Sequence, residues 1–98
     1  MEDDRNRVRG GLYFRWSREV RRRGGYICQL CGRIEGKIIA HHLYNWADYP
    51  DKRFDEDNGI TLCDSHHTEL HSIYGNKNNT PEQFHEFKDS IQIELNVA

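Results

Sequence analysis

The sequence predicts a small α+β domain: a two-stranded hairpin with a long loop plus a helix, flanked by a basic N-terminal helix and a C-terminal amphipathic helix. Three observations lead there. Two short β-branched runs, "KIIAHH" and "ITLC", bracket residues 43–59, which are rich in turn formers. Three cysteines and one histidine fall in two pairs with two residues between partners, Cys28 with Cys31 and Cys63 with His66. The stretch "CDSHHTELH" at 63–71 holds one cysteine and three histidines.

At 98 residues the chain is one small domain, too short for a large core, so a structural metal or other staple is expected. No apolar run reaches the length of a membrane span and none at the N-terminus resembles a signal peptide, so the chain is read as soluble and intracellular. An odd number of cysteines argues against a closed disulfide framework. The net charge of -2 hides an asymmetry. Residues 1–37 carry nine Arg and one Lys against five acids, whereas residues 38–98 carry four Lys/Arg against eleven acids. The basic third, centred on "RRR" at 21–23, fits a polyanionic partner, although a solvated helix face would carry the same charge.

The elements follow in order. Residues 1–11, polar and ending in Gly10-Gly11, read as a flexible basic arm before a single domain at 12–98. In "FRWSREVRRR", Trp16 and Val20 make one apolar seam on a short helix, with Arg18, Arg21 and Arg22 outside and Gly24-Gly25 as the stop. "YICQLCG" reads as a tight turn between short extended pieces, "KIIAHH" as a strand, 43–59 as a long loop and "ITLC" as the second strand. Asp64 or Ser65 is expected to cap a helix that stops at Gly75. Thr80 caps the last helix, Pro81 sits in its first turn and Gln83 can reach back. Phe84, Phe87, Ile91 and Leu95 then form its core stripe.

Cys28, Cys31, Cys63 and His66 complete a tetrahedron of the kind that closes a structural Zn²⁺ site; the plainer reading is three buried thiols. His67 and His71 remain. On a helix they share a face, about 6 Å apart, while His66 is rotated from them by about 100° and can serve a different ion. That pair would meet His41 and His42, which as adjacent strand residues point to opposite faces. One of the two can bind a metal while the other stays free; the plainer reading is scattered surface histidines, His71 above all. A zincin protease needs H-E-x-x-H, but Glu69 lies two positions after His67, about 200° around the helix and on the wrong side. A zinc deaminase needs P-C-x-x-C downstream of H-x-E, and no such pair follows His67-Thr68-Glu69. Metal-assisted phosphodiester hydrolysis needs an ion and a neutral imidazole, and both are available.

"YICQLCG", "AHHL", "DNGITLC" and "SHHTELH" together resemble the HNH endonucleases, the ββα-metal nucleases, from about Phe14 to Asn79. "YPDKRFDEDNGITLC" followed by "HSIYGNKNNTPEQ" is most similar to small phage-encoded HNH proteins, including freestanding homing nucleases. The resemblance implies a ββα-metal core and a DNA endonuclease that leaves 5′-phosphate and 3′-hydroxyl ends. It implies that His42 is the general base and that His41 and His67 hold the catalytic ion, with His71 as a third ligand. It places the family's asparagine on Asn58, which holds the loop against the strand. Arg18, Arg21, Arg22 and Arg23 would contact phosphates of the DNA partner.

Many zinc-containing relatives have Cys-x-x-Cys-His where this chain has Cys63-x-x-His66-His67, so His66 is taken as the substitute fourth ligand. The alternative is a weaker three-cysteine site completed by water or another side chain. The catalytic divalent metal is expected among Mn²⁺, Ni²⁺, Co²⁺ and Mg²⁺. The same likeness implies the cytoplasm of a bacterial host and phage or mobile-element origin, no membrane, and leaves open a homodimer or a larger phage protein complex. The competing reading is a zinc-stabilised DNA-binding module without catalytic turnover.

Overall fold

The computed structural model describes residues 4–97, with side chains described over residues 10–92. Three α-helices and one antiparallel hairpin follow one another as α1 (Asp4–Arg23), β1 (Ile38–His42), β2 (Gly59–Cys63), α2 (Asp64–Tyr74) and α3 (Pro81–Val97). Helix α1 is longer than the sequence implies. It begins at Asp4 and continues through Gly10 and Gly11, so most of the segment expected as an arm is helical; residues 1–3 lie outside the described residues. Gly24 does end it, its N–H bonding the Val20 carbonyl at 3.0 Å.

The hairpin pairs His41 with Ile60 and His42 with Gly59. Period-two alternation then sorts the side chains. Ala40, His42, Gly59 and Thr61 face α1, where Trp16, Val20 and Ala40 form a small buried cluster. His41 and Leu62 face the opposite side, toward α2 and α3. Gly59 is needed there because a Cβ at that position would collide with Val20 and with Trp16. Its missing side chain lets α1 lie close against β2.

The long loop between the strands is not structureless. It contains two 3-10 turns, Pro50–Lys52 and Glu56–Asn58, the second capped by Asp55, whose side chain accepts from the Asp57 N–H at 3.0 Å. Trp16 reaches this loop by donating its indole N–H to the Asp55 carbonyl at 2.7 Å.

The main core lies between the hairpin and α2–α3: Leu62, Leu70, Phe84, Phe87 and Ile91, with Cys28, Leu30 and Cys63 at its edge. The amphipathic stripe of α3 is therefore buried as expected, apart from Leu95, whose side chain lies outside those described. Two caps differ in detail. Cys63, not Asp64 or Ser65, is the N-cap of α2, and it makes no side-chain cap bond; Asp64 sits in the first turn. Thr80 caps α3 through the Gln83 N–H at 3.4 Å, but the Gln83 side chain goes to Asn78 and Asn79 instead of back to Thr80. The 26–31 turn is flanked by no strand; its Gln29 N–H bonds the Thr61 carbonyl at 3.0 Å.

Candidate metal centres

Two clusters of metal-ligating side chains stand out among the described residues: Cys28, Cys31, Cys63 and His66, and His41, His67 and His71. Within each, the ligand atoms lie within 4.8 Å of one another. Helix α2 separates the two, because consecutive helix positions diverge by about 100°. His66 therefore turns to the cysteines and His67 to the hairpin.

The first cluster joins the 28–31 turn to the end of β2 and the start of α2. Cys31 Sγ and Cys63 Sγ are 3.9 Å apart, and His66 Nδ1 lies 3.7 Å from Cys28 Sγ and 3.4 Å from Cys63 Sγ. Two sulfurs at about 2.3 Å from a tetrahedral zinc are about 3.8 Å apart, so the donor set fits Zn²⁺. Burial pushes the Cys28 thiol up, but backbone N–H groups of Cys63, Leu30 and Cys31 and the His66 ring outweigh this and bring it down to about 6. A thiolate is the form that binds metal. The His66 ring packs edge-on to Phe87, which couples the cluster to the core.

The second cluster sits in an open cleft of about 320 Å³, lined also by Tyr13, Asn45, Trp46 and Asn79. His67 Nε2 and His71 Nε2 are 3.1 Å apart, and the His41 ring centroid is 5.3 Å from each of theirs. Imidazole nitrogens at about 2.1 Å from a common ion and at roughly right angles would stand about 3.0 Å apart, so the pair fits a divalent cation. Burial, then the neighbouring His67, His71 and His42, push His41 down to about 3, and burial also lowers His67. Both rings are thereby neutral near pH 7, as ligands must be. The group has no carboxylate.

His71 Nδ1 is 2.9 Å from the Gly75 carbonyl. A carbonyl only accepts, so Nδ1 carries the proton and Nε2 presents its lone pair toward His67. Gly75, at φ 78°, takes the left-handed conformation that glycine tolerates, and there it serves as both helix stop and His71 partner.

His42 points away from this cluster's rings, into the α1 side of the same cleft. Its Nε2 donates to the Arg53 carbonyl at 2.9 Å, which leaves the Nδ1 lone pair available. Burial lowers its pKa. Trp16 stacks on the ring and Trp46 and Tyr13 stand near it. These neighbours carried no signal in the sequence beyond their apolar character, and backbone acceptors such as Arg53 carry none at all.

Asn58 is buried, and its side-chain hydrogen bonds go to the loop and not to either cluster. Its Oδ1 accepts from the Tyr44 N–H at 2.7 Å and its Nδ2 donates to the Tyr44 and Lys52 carbonyls at 3.0 and 3.1 Å. It ties both ends of the loop together beside β1. The four arginines expected to meet phosphate, Arg18, Arg21, Arg22 and Arg23, are not equivalent. Arg22 pairs with Glu19 at 2.8 Å, and Arg23 bridges to Asp57 at 3.1 Å and Glu56 at 3.7 Å. Arg21 donates to the Ser17 carbonyl at 3.2 Å, and Arg18 is exposed. Exposed pairs of this kind are weak.

Residues 28–73 match a protein-family model described as HNH endonuclease. No curated protein and no solved structure matches the chain. The matched segment begins at Cys28 and includes all seven cluster ligands, His42 and Asn58.

Proposed function

The chain belongs to the HNH endonuclease family through residues 28–73, and from that premise we propose that it is a metal-dependent DNA endonuclease with His42 as general base. The observation that carries the reading is the placement of His42. Its Nε2 proton is fixed on Arg53, which leaves Nδ1 free, and His42 lines the same cleft as His41, His67 and His71. A general base needs a lone pair within reach of its water and a neutral resting state.

A divalent ion held by His41, His67 and His71 would supply Lewis-acid stabilisation of charge on the phosphate and on the departing 3′ oxygen. His42 Nδ1 removes a proton from water, and the water oxygen forms a bond to phosphorus while the bond to the 3′ oxygen breaks. The 3′ oxygen takes a proton from solvent, leaving a 3′-hydroxyl and a 5′-phosphate. Asn58 keeps the loop, and with it the Arg53 carbonyl, against β1 and so sets the ring's orientation. The Cys28, Cys31, Cys63 and His66 cluster holds structural zinc and takes no part in the reaction. Arg18, Arg21, Arg22 and Arg23 contact backbone phosphates, giving affinity that falls with salt and little sequence selection. No helix among the described residues is long and apolar enough to cross a membrane. The "YPDKRFDEDNGITLC" likeness supports a phage or mobile-element setting in a bacterial cytoplasm.

Nicking of supercoiled plasmid, with and without EDTA, tests the reading. Metal-dependent conversion to open circles or linear DNA with 5′-phosphate ends is expected. Intact plasmid that the protein nonetheless binds would identify a zinc-stabilised DNA-binding module instead.

A further inference from the structure

The α2–α3 connection and the long loop meet in a polar chain, buried at Asn45 and Asn79, that the proposed reaction does not use. Asn79 is 1% exposed and Asn45 is 7% exposed. Asn79 Nδ2 donates to the Gly75 carbonyl at 3.1 Å, the same oxygen that accepts from His71 Nδ1, and to Gln83 Oε1 at 3.1 Å. The Asn79 N–H donates to Asn45 Oδ1 at 2.9 Å, and Asn45 Nδ2 donates to Asp48 Oδ2.

Asn79 Oδ1 is buried without a hydrogen-bond partner. Leaving a buried acceptor unpaired is unfavourable. Turning the carboxamide over would satisfy nothing, because its oxygen would then face two other acceptors, the Gly75 carbonyl and Gln83 Oε1. The orientation is thus dictated by the two N–H bonds, and one of these ends on the atom that holds the His71 ring.

Resting on the metal-centre reading above, we propose that Asn79, backed by Asn45 and Asp48, is a positioning residue that clamps the Gly75 carbonyl and thereby keeps His71 as the third imidazole ligand. The Gly75 oxygen has two lone pairs, one for His71 and one for Asn79. With Asn79 holding the oxygen in place, the His71 proton stays on Nδ1 and Nε2 remains free for the ion. Hydrogen-bond partners of metal-bound histidines fix tautomer and ring orientation in this way. The chain also explains the role of the long loop on this side: Asn45 anchors it to the turn after α2.

The test is Co²⁺ binding to zinc-loaded protein, read by calorimetry and by the visible Co²⁺ bands, with zinc content measured in each variant. Asn79→Asp keeps the shape and removes the donor to Gly75. It is expected to weaken Co²⁺ binding by about tenfold or more with zinc retained. Gln83→Ala removes the other Asn79 acceptor and part of the α3 anchor, and it should change Co²⁺ affinity by less than about twofold if the Gly75 clamp is what matters. In a His71→Ala background, N79D should add no further loss. Equal losses in N79D and Q83A, a full N79D loss without His71, or wild-type affinity in H71A would each overturn the proposal. If N79D fails to fold, imidazole ¹⁵N shifts of the wild-type protein decide: the Nδ1–H tautomer at His71 supports it, and the Nε2–H tautomer overturns it. None of these readouts depends on DNA cleavage, so they fail or succeed apart from the nuclease assignment.

Discussion

The Trp16 indole lies flat against the His42 imidazole, with ring centroids 3.6 Å apart and 8° between their planes. Helix α1 thus forms the floor on which the proposed base rests. The stack restricts the ring to one plane, and the Arg53 carbonyl fixes its rotation within that plane. The stack exists because Gly59, opposite His42 in the hairpin register, has no side chain to hold α1 away.

Gly59→Ala is therefore expected to act on the base from a distance. The added methyl meets Val20 and Trp16, so overpacking should cost about 1–3 kcal/mol of stability. Cleavage should slow while zinc content stays at the wild-type level. Denaturant unfolding together with single-turnover cleavage checks both; unchanged turnover in a destabilised protein would separate the stack from function.

His42→Ala should remove turnover and little else. Loss of a general base typically costs about 10²–10⁴-fold in rate. His42 belongs to neither ligand cluster, so zinc content and Co²⁺ binding should persist, and DNA should still bind. Substantial residual turnover in this variant would assign the base elsewhere.

Removal of zinc should unfold much of the domain. The Cys28, Cys31, Cys63 and His66 cluster joins a turn, a strand end and the first turn of α2, and its side chains border the main core. In a domain of this size such a site can supply much of the folding free energy. Circular dichroism melts before and after stripping with a strong chelator should show a cooperative transition that is lost; superimposable melts would demote the cluster to free thiols.

Metal preference follows from the donor set. Three imidazoles without a carboxylate suit borderline ions better than Mg²⁺, which favours oxygen ligands. Plasmid cleavage after chelation and re-addition should be at least as fast with Mn²⁺, Ni²⁺ or Co²⁺ as with Mg²⁺. Activity with Mg²⁺ alone would contradict the ligand assignment.

Much of this was legible in the sequence because it rests on local spacing. The two-residue gaps within Cys28–Cys31 and Cys63–His66 pointed to one group of side chains, and the i, i+4 relation of His67 and His71 with strand alternation pointed to a second that takes one of His41 and His42. Spacing left that choice open, the resemblance chose His41, and His41 is the one that lies with His67 and His71. The Trp16–Val20 seam and the Thr80–Pro81 helix start are local as well. What escaped was long-range or carried by the backbone. Helix α1 passes through Gly10–Gly11, where weak intrinsic propensity argues for a break. The Arg53 and Gly75 carbonyls, which set two imidazole tautomers, leave no mark on residue type at their own positions except the positive φ that Gly75 tolerates. Arg23 meets Asp57 across 34 positions, so the composition of the basic stretch could not reveal that part of its charge is already paired.

The most direct measurement is anomalous scattering from crystals of zinc-loaded protein soaked in Mn²⁺, with elemental analysis of the same preparation. The account predicts zinc at Cys28, Cys31, Cys63 and His66, and manganese at His41, His67 and His71 with room left for a phosphate oxygen. One ion gathering ligands from both clusters, with no coordination position open to substrate, would contradict it.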